Sequence, residues 1–333
     1  MATTASLPCL VLDHGDEQRT TTLYSVSDGA RRPCEEIGEE LRGKRSWVTS
    51  HGWLLLWDPA TLATFLWDPR AAAFEGDNKK IALHAWASPP EAGTGCALSG
   101  DPTDPDGFTV VVLESSASSD DTALWYCHAG GTLSSPWARH VYDIGGTWVP
   151  WDKDFFAKHY VPGFGACRGK FYCNLSKDKY GVLEFSPEPA LTTVKMKEAV
   201  EIIVPPGQCY STPFSYTLDL DGEVHTAWVF FSDSEAGGAV LDIAVYRMDL
   251  AAKRPVRVEN IGDRAILAGG SDCYFAGWCP ATESGLLPNS VYWMHPDESR
   301  LYVYDVGANT KQVRELGEGA EPSRLPFWIV PRK

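Results

Sequence analysis

Ser50 and His51 stand side by side in Thr49-Ser50-His51-Gly52-Trp53, and a hydroxyl beside an imidazole is the first place to look for a nucleophile and its base. Neighbouring side chains on an extended chain point to opposite sides, so the pair makes no relay. The corner reads instead as a contact point, with His51 and Trp53 as binding residues. The eight His form no His-x-His or His-x-x-x-His pair. Cys167 and Cys173, and again Cys273 and Cys279, lack the short gap and His partners of a structural zinc site. Asp101-Pro-Thr-Asp-Pro-Asp-Gly107 suggests a calcium loop, but the third, fifth and twelfth positions are Thr103, Pro105 and Val112, so it reads as a solvated turn. There is no Gly-x-Ser-x-Gly, His-Glu-x-x-His or phosphate-cradling glycine loop. The expectation is no catalytic residue, no metal and no cofactor. Aromatics are the remaining recognition chemistry: Trp148, Trp151, Phe155 and Phe156, with Tyr160, crowd one irregular stretch beside Asp and Lys, as interface anchors do. Trp278 joins them as a further binding candidate.

These residues sit among short strands. Trp53–Trp57 and Ala63–Trp67 are apolar runs, each ending in Trp-Asp-Pro, and Asp58-Pro59-Ala60-Thr61 between them is turn chemistry. Aromatic and branched runs bounded by turn signals read as an antiparallel hairpin, here apolar on both faces. The unit recurs. A second strand of aromatic or branched residues appears as GWLLLW, FTVVVL, GKFYC, HTAWVFF and NSVYWM. A following strand of the Leu-Tyr-x-x-Asp type appears as LYSVSD, TFLWDP, LWYCHA, VLEFSP, VYRMDL and YVYDVG. Asp221-Gly222 joins two runs with a strong hairpin signal. Six strand-rich copies at intervals of roughly 40–60 residues indicate an all-β chain, a single β-propeller over 1–333 with six blades, seven being the alternative. Residues 143–162 read as an irregular aromatic loop packed on the body. Residues 34–43 read as a helical turn or as strand and loop, and 192–202 is the one other stretch with helical periodicity. The first unit is a strand short and the apolar 327–331 has no partner, so the C-terminal strand is expected to complete the first blade and leave no edge exposed.

Composition narrows the partners. The chain has 333 residues, 44% hydrophobic, with 13 Trp, enough for a large core. Lys and Arg number 29 against 44 Asp and Glu, a formal charge of −15. Phosphate binding needs clustered cations, so nucleic acid and anionic membranes are excluded as expected partners. Basic proteins, cations and neutral small molecules remain. Nine Cys, an odd number, and a start without a basic, then apolar, leader point to reduced thiols in the cytoplasm or nucleus. Asn174-Leu175-Ser176 is a glycosylation sequon by chance in that setting.

The order and wording of SHGWLLLWDPATLATFLWDP, CALSGDPTDPDGFTVVVLE, LWYCHAGG with WARHVYD, CRGKFYC, and LLPNSVYWM with LYVYDVG resemble the plant KIB-type β-propeller family, also called domain of unknown function 295. The likeness covers roughly 7–330. It implies a propeller, and in many members an N-terminal F-box that docks a ubiquitin ligase while the propeller holds the substrate protein. Here the repeat starts at Pro8 with no Leu-Pro-rich helical segment ahead of it, so the expectation is a chain lacking the F-box. The functional expectation is a monomeric, non-catalytic, protein-binding propeller. The alternative is an enzyme (a hydrolase, lyase or cyclase) working on a small plant metabolite in the central channel. A wide channel with converging ionisable groups favours the enzyme; a sealed channel with an aromatic rim favours binding.

Overall fold

The computed structural model describes residues 6–12, 20–73, 79–90, 95–114, 122–131, 134–149, 152–186, 188–202, 209, 213–232, 239–270, 275–295, 299–316 and 326–331. Six of their seven sheets are arranged as a six-bladed propeller, which sets aside the seven-blade alternative. From the axis outward, blade 2 is Arg45–Val48, Leu54–Trp57, Thr64–Trp67 and Lys80–Leu83. Blade 3 is Cys96–Leu98, Phe108–Leu113, Ala123–Ala129 and Ala138–Val141. Blade 4 is Gly165–Cys167, Lys170–Ser176, Lys179–Phe185 and Pro189–Lys195, and blade 5 is Phe214–Leu220, Glu223–Phe231, Val240–Asp249 and Arg254–Val258. The recurring aromatic run is the second strand of these blades, and the Leu-Tyr-type run is the third.

The second strands explain the radial arrangement. Successive side chains on a strand point to opposite faces, so a continuous apolar run needs a packed neighbour on both sides. Leu54 and Leu56 face blade 1, whereas Trp53, Leu55 and Trp57 face blade 3. Val110 and Val112 face back to blade 2, and Val111 and Leu113 face forward to blade 4. Trp228 and Phe230 belong to the core shared with blade 4, Ala227 and Val229 to that shared with blade 6. Between blades 2 and 3, Trp86 stacks on Trp137 at a centroid distance of 3.8 Å, and the Trp57 indole donates to the Trp86 carbonyl at 2.9 Å.

Blade 1 is closed as the sequence requires. Phe327–Ile329 is its inner strand, antiparallel to Cys9–Leu12, with Thr22–Ser25 and Arg31–Pro33 outside. Trp328 pairs with Leu10, is 1% exposed, and donates its indole N–H to the Ala268 carbonyl of blade 6 at 3.2 Å.

Blade 6 departs from the repeat. It has five strands in the order Ala276–Pro280, Arg264–Gly269, Ser290–Met294, Arg300–Asp305 and Thr310–Glu315. Arg264–Gly269 runs parallel to Ser290–Met294, the one parallel pairing among the described strands. After Val258 the chain turns back before entering blade 6, so its first strand runs in the reverse sense and an added hairpin strand, Ala276–Pro280, ends up innermost.

Three sequence readings change. Residues 143–162 are not an irregular loop: Gly146–Val149 and Asp152–Lys158 form a separate two-stranded sheet. The helical periodicity of 192–202 loses to pairing, since Pro189–Lys195 is the outer strand of blade 4 with seven register partners on Lys179–Phe185. Residues 34–43 resolve to the helix Glu35–Leu41, whose Ile37 and Leu41, four apart on one face, are buried. The polar tip expected at 114–121 lies, beyond Glu114, outside the described residues.

Removing the closing contact tests the ring. Trp328→Ala is expected to lower unfolding free energy by about 3–5 kcal/mol, measured by urea denaturation. A chain ending at residue 320 should melt well below the full chain; identical melting would contradict closure.

Candidate functional site

In a four-strand blade the turn from first to second strand and the turn from third to fourth lie on one face of the ring, and the remaining connections lie on the other. The Thr49–Trp53 corner and the 99–107 turn are therefore on one face. The 146–158 hairpin, which follows the outer strand of blade 3, leaves from the opposite one. The sequence-predicted binding residues do not come together.

On the first face, the corner is held from beneath. Asp68 is fully buried and accepts from the Arg70 Nε at 2.6 Å and the Arg70 backbone N–H at 3.1 Å. Arg70 Nη1 in turn donates to the His51 carbonyl at 3.4 Å, and its guanidinium lies 6.0 Å from the Trp53 ring. Gly52 has φ +74, and a Cβ there would come within 2.8 Å of Val330, so the corner needs glycine. Trp53 is 1% exposed and packs among Trp47, Leu55 and Trp86, which removes it from any surface a partner touches. His51 stays half-buried at the rim. Burial pushes the Asp101 carboxyl up, but hydrogen bonds from Thr103 and the nearby charges of His51 and Arg70 more than offset this and hold it below the usual range. The 101–107 turn is a pair of Asx turns, with Asp101 Oδ1 accepting from the Thr103 N–H and Asp104 Oδ1 from the Asp106 N–H.

Ala276–Pro280 is the innermost strand of blade 6. Trp278 Nε1 donates to the Asp219 carbonyl of blade 5 at 2.8 Å, while a Cβ on Gly277 would lie 3.5 Å from the Ser50 carbonyl of blade 2. The inner strands of blades 4 and 5 meet so closely that a Cβ on Gly165 would fall 2.2 Å from the Thr217 carbonyl oxygen. Trp278, half-buried, lies under the Arg264 guanidinium at 5.3 Å.

A pocket of about 370 Å³ lies off-axis between blades 5 and 6, with His225, Arg264, Asp221 and Glu223 in its wall. Sequence reading missed it, because it is made by the backtracking segment 258–264, which carries no motif.

On the opposite face, Trp148 is 63% exposed on the separate hairpin, and Val141 (49%) and Tyr160 (53%) flank it in the chain. The register sets Trp148 opposite Phe156, so these two positions share one face of the hairpin. Phe155 lies on the same strand, and Trp151 falls outside the described residues.

The described thiols are all free, and all but Cys209 are buried. Burial pushes Cys9 and Cys173 up to about 12, as expected of packing groups rather than nucleophiles. Among the described residues no cluster of three or more His, Cys, Asp and Glu could hold a metal. The Asn174 side chain is buried and donates to Thr217 Oγ1 at 3.0 Å, which leaves the sequon closed to a glycan. No helix among the described residues is long and apolar enough to cross a membrane.

A family profile described as KIB1-4 beta-propeller matches residues 23–311. No curated protein matches the chain. Among solved structures, a functionally unknown protein from Desulfotomaculum acetoxidans is 8% identical, with 97% of this chain and 99% of that one covered at a TM-score of 0.42. The periplasmic gluconolactonase of Pseudomonas aeruginosa is 12% identical, with 97% and 99% covered at 0.41. Apo AztD from Citrobacter koseri is 11% identical, with 99% and 100% covered at 0.39. Likenesses this distant carry nothing about activity.

Two measurements probe this geometry. Arg70→Met leaves Asp68 buried without its counter-charge and is expected to cost about 3–5 kcal/mol in denaturant unfolding. Burial lowers the pKa of His225 and of His128 in the fold. The unfolded chain then takes up protons first, so the stability these residues contribute is present above the ordinary histidine value of about 6.5 and is lost as pH falls through it. Melting between about pH 7.5 and 5 should show this loss, and His225→Gln should reduce the slope.

Proposed function

The chain belongs to the KIB1-4 beta-propeller family, and we propose that its propeller binds another protein without performing catalysis on it. The observation that carries the reading is Trp148, 63% exposed on a two-stranded sheet that no blade's hydrogen bonds incorporate. An indole left that far in water is the kind of aromatic anchor that dominates interface energetics. Val141 and Tyr160, close to it in the chain, are exposed as well, and the hairpin's outer edges offer main-chain groups for an added strand. The formal charge of −15 favours a partner with a basic surface by steering its approach. An interior rich in free, buried thiols suits a reducing compartment, the cytoplasm or nucleus.

The test is affinity capture from plant extract with the wild-type chain and Trp148→Ala in parallel, read by mass spectrometry. Truncating a central aromatic anchor costs about 2 kcal/mol or more in binding, so a reproducible protein captured by wild type should be depleted roughly thirtyfold by the variant. Melting should be unchanged within about 0.5 kcal/mol, because the site is exposed. Recovery of a metabolite and no protein, or capture insensitive to Trp148, would overturn the reading.

A further inference from the structure

The pocket between blades 5 and 6 is a by-product of the reversed entry into blade 6. Leu220, Val258 and Ile261 supply apolar wall, and Asp221, Glu223, His225, Asn260 and Arg264 supply the polar groups. Asp221 and Gly222 both have positive φ, 57° and 77°, the tight turn that sets the Asp221 carboxylate at the rim. Asp221 and Glu223 side chains are 55% and 54% exposed.

His225 is the buried polar member, 5% exposed. Its Nδ1 sits 3.1 Å from the Glu223 carbonyl oxygen, which accepts only, so Nδ1 carries the proton. Nε2 is then a bare acceptor, and no described group donates to it. Burial, by lowering this residue's pKa, keeps it in that neutral form at neutral pH. Arg264 is already engaged: it pairs with Asp221, donates from Nη1 to the Ile261 carbonyl at 2.9 Å and covers Trp278. Arg247 stands 3.6 Å from Glu223. Each carboxylate has about four lone-pair sites, so one cationic neighbour leaves room for a second donor. Ion pairs this exposed are weak and do not close the site.

We propose that this pocket binds an organic cation of side-chain size, a primary ammonium on an aliphatic stem. The ammonium donates to His225 Nε2 and to the Asp221 and Glu223 carboxylates, and the stem lies on Leu220, Val258 and Ile261. An ammonium brings three donors and no acceptor, the complement of two carboxylates and a neutral imidazole. The volume of about 370 Å³ lies at the small end of the ligand-pocket range of about 300–1,000 Å³. The same chemistry comes either from a free amine or from a lysine side chain of a bound protein. The site is on the face away from the Trp148 hairpin and stands independently of the proposed function.

The experiment titrates the full chain with n-butylammonium, n-butanol and N-acetyl-lysine methylamide. Binding is read by calorimetry and by the imidazole nitrogen shifts of His225. Saturable binding of butylammonium, with a response at Nε2 and none from butanol, is expected. Asp221→Asn, which tolerates the left-handed turn as Asp does, and Glu223→Gln should each weaken it about tenfold with unchanged melting. Tighter binding of the lysine derivative than of butylammonium marks a protein side chain as the occupant; equal or weaker binding marks a free amine. Equal binding of butanol, no saturable binding of either amine, or binding indifferent to both substitutions would overturn the proposal, whatever Trp148→Ala does to partner capture.

Discussion

The backbone pairing of Phe327–Ile329 with Cys9–Leu12 joins the two ends of the chain in one sheet, and every other packing surface depends on it. A propeller blade is apolar on both sides, so no blade is stable alone and none is tolerable at the end of a row. Closing the circle gives each face a neighbour. The cores confirm how literally this is met: alternate residues of a single strand, such as Val110 and Val111, lie in different clusters. Trp328, at the seam, carries backbone pairing to Leu10 and an indole bond to blade 6 at the same time.

The outer rim has the opposite requirement, because each blade ends in an unpaired strand. Every outer strand carries Lys or Arg (Arg32, Lys80, Arg139, Lys195, Arg254 and Arg314 among them), and Glu315 is their single carboxylate. In a chain with a formal charge of −15 this basic rim is a local choice. Charged edges resist pairing with another sheet. Several of these cations also reach inward, Arg139 to Glu114 at 2.8 Å and Arg314 to the Val26 carbonyl of blade 1 at 2.8 Å. Lys80 bonds Glu40 on the helix at 2.7 Å.

The axis and the off-axis pocket share one cause. The chain leaves blade 5 and turns back across 258–264, so the first strand of blade 6 runs parallel to its neighbour and a hairpin strand is pushed to the centre. That strand brings Gly277 near blade 2 and bonds Trp278 to blade 5. The segment that turned back frames the polar pocket between blades 5 and 6.

Strand identity, the number of blades and the closing strand were legible in the sequence, because period-two burial, turn residues and the recurring runs are local signals that many copies reinforce. The helix at 35–41 was half-legible, and the pairing of 189–195 overrode a helical pattern because seven cross-strand partners outweigh intrinsic preference. The site was not legible. The two Trp-Asp-Pro copies make the point: Asp58 is only half-buried and caps a turn by accepting from the Ala60 N–H at 2.9 Å, whereas Asp68 is wholly buried and holds Arg70 beneath the His51 corner. Identical tripeptides differ because burial is set by which blade lies alongside, and no window of sequence contains that neighbour. For the same reason Trp53 and Trp148, alike as letters, became a core residue and a surface one.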